Sequence, residues 1–345
     1  MTAARTGISI RRLSAAALAA AAVAEFAVAG FAARTVSAAE PPAPVEIKLK
    51  PYLELGERAK FTRIWLIDFH FDAVRGAGTV NGGAGAKVWG KREANGFGQI
   101  FTEDALLPPA EGKERPAKVR RQYDKAFRYE SVSEGLTGGN PEKPLTEKPM
   151  AYAGKTLIAT LEGKDYKFTD PAERALTGLG MNELEKEFNN VGGPGEFDGM
   201  RHILSLMLPK KPITTGSTWD VDVKGVAQVF QAFGFEPDYD RSQGEGKCVK
   251  VYEKAGRRWA LMNTTVRIGI KKVNGMAADQ KSSIDLTSKM DLCIDGKIPA
   301  GESELNGKIA GTCALNEPLG VSVALDGKIT GKQIVAMLPP VSLKK

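Results

Sequence analysis

Apolar and polar residues alternate over long stretches of this chain. Between Thr62 and Val74, Trp65, Ile67, Phe69 and Phe71 share one side of an extended backbone, and Asp68, His70 and Asp72 share the other. A period of two is what a half-buried strand produces. The Gly- and Ala-rich run Arg75 to Gly90, with Asn81-Gly82-Gly83, reads as a connection to a second strand around Phe97 to Thr102. Leu106 to Pro116 reads as a Pro-containing loop. From Val119 to Val132, the spacing of Val119, Tyr123 and Phe127 suits either period, and the neighbouring strands favour a strand. After a loop from Leu136 to Pro149, Lys155–Thr160 and Asp165–Phe168 flank Glu162-Gly163-Lys164 as a hairpin.

The middle of the chain changes period. Asp170-Pro171 predicts a helix start by the cap-then-proline rule, and Asn182 with Glu185 predicts a capping box that puts Leu184 and Phe188 on one face. That helix should end at Gly192-Gly193-Pro194-Gly195. Met200, Ile203, Leu204 and Met207 form a second stripe stopped by Pro209, and Val226, Val229, Phe230 and Phe233 form a third. Trp219 then opens an alternating segment and should seal the core edge. Beyond Gly246, Cys248–Tyr252 and Trp259–Met262 flank Lys254-Ala255-Gly256 as a hairpin. Residues 282–331 read as a meander, with turns expected at the Asp-Gly and Asn-Gly pairs before Lys297, Lys308 and Lys328.

These elements predict a β-rich α+β fold: an extended antiparallel sheet or open half-barrel, with a short helical middle packed on one face. One domain is expected over residues 52–335, with the helical middle at about 170–234 and a tail at 336–345.

The first residues follow a different logic. Arg5, Arg11 and Arg12 precede an Ala-rich run from Leu13 to Ala24, and Val36-Ser37-Ala38-Ala39 offers small residues for cleavage. We read residues 1–39 as a signal peptide and 40–51 as an extended Pro-rich leader. Glu25 and Arg34 argue against a membrane anchor, so the expectation is an exported protein, periplasmic or extracellular, that is not integral to a membrane after cleavage. Arg11-Arg12 leaves the twin-arginine route open beside the general one. Removal of this segment takes four arginines and one glutamate, leaving 44 basic against 40 acidic residues, a net charge of +4. Such a balance gives no reason to expect a nucleic acid partner.

From Phe197 to Trp219 the chain runs through a helix ending in Leu208-Pro209, then Lys211-Pro212, then Gly216-Ser217-Thr218-Trp219. This junction resembles an uncharacterised family of exported bacterial proteins, frequent in planctomycete-type genomes and described as a domain of unknown function. The resemblance implies a signal peptide, a strand-rich N-terminal half, a short helix, a Gly-x-x-Trp turn and long C-terminal strands over about residues 46–335. It implies no catalytic residues, and Ser217 stands where the family carries an acidic side chain.

Candidate chemistry is sparse. With two histidines, His70 and His202, and three cysteines, Cys248, Cys293 and Cys313, most zinc-finger, iron–sulfur and His-rich metal architectures are excluded. Three cysteines in an exported chain permit one disulfide, while their strand-like settings suit small buried apolar groups. Asp68, His70 and Asp72 could face one cation from alternate strand positions, or simply make a wet strand face. Glu236, Asp238 and Asp240 crowd a stretch near Pro237 read as a loop, without the glycine and distal glutamate of a calcium loop. Gly320-Val321-Ser322-Val323-Ala324 lacks the last glycine and the following helix of a nucleophile elbow. Gly76 to Gly85 lacks the Lys-Ser/Thr ending of a phosphate loop.

Lys118, Arg120, Arg121, Lys125 and Arg128, interleaved with Tyr123, Phe127 and Tyr129, could attract an anionic envelope polymer. No catalytic residues and no cofactor are assigned, which makes an enzyme the lesser expectation. The leading reading is a non-enzymatic binding or carrier protein for an apolar ligand, held on the concave side of a curved sheet covered by apolar helices; Met181, Met200, Met207 and Met262 would suit such a pocket or simply fill the core. A surface interaction module working through strand edges, or a hydrolase, are the other readings.

Overall fold

In the computed structural model the predicted alternation is realised along strands much longer than those expected. Residues 43–75, 87–135, 145–189, 202–315 and 321–340 are described, and all belong to the compact unit Pro42–Lys345. The N-terminal strands are β1 (Arg58–Arg75), β2 (Lys87–Pro109), β3 (Pro116–Gly135), β4 (Thr146–Pro149), β5 (Thr156–Glu162) and β6 (Asp165–Thr169). The helical middle holds α1 (Met181–Asn189), α2 (residues 202–206) and α3 (Val223–Gln231), with the short β7 (Thr218–Asp220) before α3. The C-terminal half consists of β8 (Phe235–Lys254), β9 (Arg257–Val273), β10 (Met276–Ala277), β11 (Ser283–Cys293), β12 (Gly301–Leu315) and β13 (Val321–Leu338).

All of these strands join one antiparallel sheet, ordered β6-β5-β3-β2-β1-β13-β12-β11-β9-β8-β7, with β4 on β3 and β10 on β9. The two halves of the chain meet where β1 pairs with β13, from Arg58↔Leu338 to Arg75↔Val321. Along this order β8 lies five strand spacings from β1, roughly 24 Å in a flat sheet. The rings of Phe69 on β1 and Phe235 on β8 are nevertheless 6.2 Å apart. The sheet therefore curls over its inner face, as an open half-barrel does. Ala59, Phe61, Trp65, Ile67, Phe69 and Phe71 of β1 point into this concavity and are buried, so the face predicted from the sequence is the core face.

The helices fill part of the concavity. Leu184 and Phe188 of α1, Ile203 and Leu204 of α2, and Val226 and Phe230 of α3 are buried against it. Asp222 caps α3 by accepting from the Gly225 N–H at 3.0 Å. Trp219 packs across Gly246 and donates its indole N–H to the Met207 carbonyl at 2.9 Å, tying β7 to the end of α2. Ahead of β1, the leader runs extended along the fold through single bridges, Val45 to Ile213 and Lys48 to Asp295.

Several expectations are corrected. β2 takes in the last residues of the stretch read as a connection, from Lys87, and runs on to Pro109, so the Pro-containing loop shrinks to the turn before Pro116. Asp170-Pro171 opens a turn instead of a helix: Asp170 accepts from the Ala172 and Arg174 backbone N–H groups, closing the chain on itself. α1 starts at Met181, which puts Asn182 inside the helix.

Ala255-Gly256 is a two-residue turn with φ of 51° and 67°, the left-handed pair expected of a tight hairpin. Asn306-Gly307 and Asp326-Gly327, by contrast, are not corners; both lie inside strands. There glycine makes room, since a Cβ on Gly327 would sit 2.7 Å from the Phe69 Cβ, and one on Gly307 would sit 2.6 Å from a Leu286 methyl. The Gly-rich stretch Gly76 to Gly85 and the expected helix end at Gly192 to Gly195 lie outside the described residues.

Candidate ligand cavity

A row of polar residues interrupts the apolar concave face beside a cavity. Along β1 the inward positions read Phe61, Arg63, Trp65, and Arg63 stands directly opposite Gln333 of β13, which stands opposite Ser303 of β12. The next pair, Ser303 opposite Met290 of β11, returns to apolar character. This row lies along a cavity of about 330 Å³ walled by Leu204 and Leu208 from the α2 segment, Met290 and Leu292 from β11, Ile298 from the turn after it, and Val335. Leader residues Leu49, Lys50 and Pro51 complete the lining. The volume falls in the range of small-molecule sites, and its mostly apolar wall with a few polar groups is the usual composition of such sites.

The polar groups differ in what they already hold. The Lys50 ammonium donates to both Glu57 carboxylate oxygens, at 3.0 and 2.9 Å, and to the Lys297 carbonyl at 3.0 Å, so Lys50 presents its methylene stem to the cavity. Arg63 donates from Nη1 to Glu187 at 2.9 Å, with its guanidinium 5.3 and 5.2 Å from the ring centres of Phe61 and Phe101. Its side chain is 13% exposed. Among the described residues no further acceptor meets Arg63, and the Gln333 amide and the buried Ser303 hydroxyl have no hydrogen-bond partner.

Behind this row lies a buried ionic cluster. α1 lowers Glu187 onto the sheet, where its carboxylate accepts from Arg121 Nη2 at 2.8 Å and Nη1 at 3.2 Å as well as from Arg63. Arg121 Nε donates to Glu103 at 2.6 Å, and Arg115 donates to the Glu187 carbonyl at 3.2 Å. Aromatic rings sandwich the guanidinium groups: Arg121 lies 4.6 Å from both Phe101 and Phe188, and Arg115 4.1 Å from Phe188. Burial by itself would raise the Glu187 pKa, but attraction to Arg121 and Arg63 outweighs it and holds the carboxyl well below the ordinary carboxylate range. Burial likewise works against the charge on Arg121, and Glu187 and Glu103 keep it firmly protonated. Burial raises the neighbouring Tyr123 phenol to about 12.

The residues singled out from the sequence are mostly engaged elsewhere. Asp68, His70 and Asp72 lie on the outer face of β1. Asp68 accepts from Arg92 Nε at 2.9 Å and Nη2 at 2.7 Å, and His70 Nε2 lies 3.9 Å from Asp68. Among the described residues no group of three or more His, Cys, Asp or Glu side chains is arranged to hold a metal ion. Glu236, Asp238 and Asp240 belong to β8 and not to a loop; Glu236 pairs with Lys272 at 3.0 Å and Asp238 with Arg241 at 2.8 Å. Ser322 is a residue of β13, and His202 is half-buried in α2.

The basic run on β3 does not make one patch. Strand alternation turns Arg121 inward, Arg120 meets Asp104 at 2.8 Å, and Arg128 meets Glu183 at 2.6 Å. Met181, Met207 and Met262 are core residues that do not line the cavity, Met262 standing opposite Met290 across β9 and β11; Met200 lies outside the described residues, and Met290 is the methionine at the wall. The three cysteines are buried and free, and Cys293 also lines the cavity. Arg63, Gln333 and Ser303 escaped the sequence reading, although an arginine at a core-facing position between Phe61 and Trp65 was a legible irregularity.

No family model matches this chain, and no curated protein matches it. Among solved structures, a lipovitellin chain, from a structure titled for its lipid–protein interactions, aligns with 83% of this chain at 10% identity and a TM-score of 0.31. The alignment spans 26% of the lipovitellin chain, so this protein matches about a quarter of that length. The outer membrane protease OmpT from Escherichia coli aligns with 82% of this chain and 96% of its own, at 9% identity and a TM-score of 0.22. Likenesses at these scores carry no argument about function. No helix among the described residues is long and apolar enough to cross a membrane.

Proposed function

We propose that this protein is a non-enzymatic binding or carrier protein that shelters a small, largely apolar molecule in the cavity between α2, the leader and β11–β13. The observation that carries the reading is the cavity itself: helices cover the concave face without filling it, and about 330 Å³ remains beside Leu204, Leu208, Met290, Leu292 and Val335. The rival reading, an interaction module recruited through strand edges, finds less support. The long late strands β11–β13, which that reading would use, each have two neighbours and offer no open edge. The N-terminal basic-then-apolar pattern supports export, and with it action in the envelope or outside the cell.

A solvatochromic dye such as Nile red tests the reading. Titration into the purified chain is expected to saturate at one site, and Leu208→Trp, which places an indole in the half-buried cavity wall, should weaken that site at least tenfold without lowering the thermal midpoint. Absence of saturable binding, or binding indifferent to Leu208→Trp, would refute the proposal.

A further inference from the structure

The polar row on the cavity wall specifies what kind of molecule the cavity takes. Ser303 is buried and Arg63 and Gln333 are half-buried, and all three line the cavity with polar atoms available to a ligand. Arg63, Gln333 and Ser303 occupy facing positions on β1, β13 and β12, which brings a guanidinium, an amide and a hydroxyl side by side. Gln333 and Ser303 make no hydrogen bond among the described residues, and Arg63 uses one donor nitrogen, Nη1, on Glu187. Each of the three can donate, and a planar guanidinium with open donors matches the oxygens of a carboxylate or phosphate.

The cationic groups near the cavity differ in what they hold. The buried cluster holds three guanidinium groups, Arg63, Arg115 and Arg121, against two carboxylates, Glu103 and Glu187. Of the three, Arg63 is the one that borders the cavity. Lys50 also borders it, with its ammonium held by two carboxylates, Glu57 and Glu54, so Arg63 is the cationic group of the wall with donor nitrogens left open. Away from the row the wall is apolar, through Leu204, Leu208, Met290, Leu292, Ile298 and Val335.

We infer that the ligand is a single-chain amphiphile whose oxyanion head, carboxylate or phosphate monoester, rests on Arg63, Gln333 and Ser303 while its tail lies along β11 and α2. The inference rests on the binding-protein reading above and assigns its ligand class. Calorimetric titration of the chain with four probes of one tail length separates the two: dodecanoate, dodecyl phosphate, dodecanol and dodecyltrimethylammonium. Hydrogen bonds to a charged group contribute about 1.5–3 kcal/mol, which corresponds to roughly 10- to 100-fold in affinity. One or both oxyanions should therefore bind at least about tenfold more tightly than dodecanol, and the better of the two identifies the head.

Arg63→Gln should erase that advantage and leave dodecanol binding unchanged. Gln333→Leu, which leaves the Glu187 cluster untouched, should shrink it severalfold, so the test survives if Arg63→Gln fails to fold. Equal affinity for dodecanoate, dodecyl phosphate and dodecanol, or tightest binding of the ammonium probe, overturns the head assignment and leaves the cavity reading intact. Binding of none of the four overturns both.

Discussion

Glu187→Gln should cost the folded chain about 3–5 kcal/mol, the usual penalty for removing one partner of a buried ion pair. Glu187 is 1% exposed, and its carboxylate receives three donors from Arg121 and Arg63, with Arg115 close by. A glutamine fits the space but returns no charge, so Arg63 and Arg115 would lose their carboxylate partner and Arg121 would keep Glu103 alone. Urea unfolding followed by circular dichroism measures the loss.

The same carboxylate sets a pH dependence. Its folded pKa lies well below the ordinary 4.5, so below about pH 4.5 the unfolded chain takes up a proton that the folded chain refuses, and stability falls with acidification. The contribution is complete at neutral pH and vanishes once the pH drops through the folded value. Wild type should therefore exceed Glu187→Gln most at pH 5 and above, with the gap closing as acid is added. A gap independent of pH would show that the carboxylate is not held ionised by its arginines.

Phe101→Ala is the second large effect, at about 3–5 kcal/mol. Phe101 is fully buried, stacks on Phe61 with ring centres 5.0 Å apart, lies 5.0 Å from the Tyr123 ring, and supports the Arg63 and Arg121 guanidinium groups. Its loss leaves a void and removes two cation–π contacts at once. Because Phe101 and Glu187 both act on Arg121, the double variant should lose less than the two single losses together. Additive losses, read from the same urea curves, would mean that ring and carboxylate act independently.

Strands were legible because alternation is local: Trp65, Ile67, Phe69 and Phe71 announce their face within seven residues. The same locality explains the misreadings. Val119, Tyr123 and Phe127 suited two periods because a spacing of four satisfies both, and β3 then carries a bulge at Asp124, between the pairs Ile100↔Lys125 and Phe101↔Tyr123, that no local pattern announces. Beyond it Phe127 packs over Gly98 on the opposite face from Tyr123. Asn306-Gly307 and Asp326-Gly327 resemble hairpin corners in composition, yet their glycines answer to Leu286 and Phe69, residues of neighbouring strands.

The cavity was the least readable feature. Gln333 and Arg63 are 270 positions apart in the sequence, and only the pairing of the first strand with the last makes them neighbours. The buried cluster hid for the same reason, since Glu187 reaches Arg63 across 124 residues. From sequence alone, Arg121 was one member of a basic run; strand alternation and a distant helix turn it into the centre of the core.

The central claim is that the curled sheet keeps open a cavity that takes an amphiphile. Methyl NMR on the chain labelled at its methionine methyl groups addresses it most directly, because Met290 lines the cavity while Met150, beside β3, and Met181, at the start of α1, are buried outside its lining. On titration with whichever of dodecanoate and dodecyl phosphate binds more tightly, the Met290 methyl signal should shift and saturate, with those of Met150 and Met181 holding their positions. A Met290 signal that stays fixed, or one that moves no more than those of Met150 and Met181, would contradict the account.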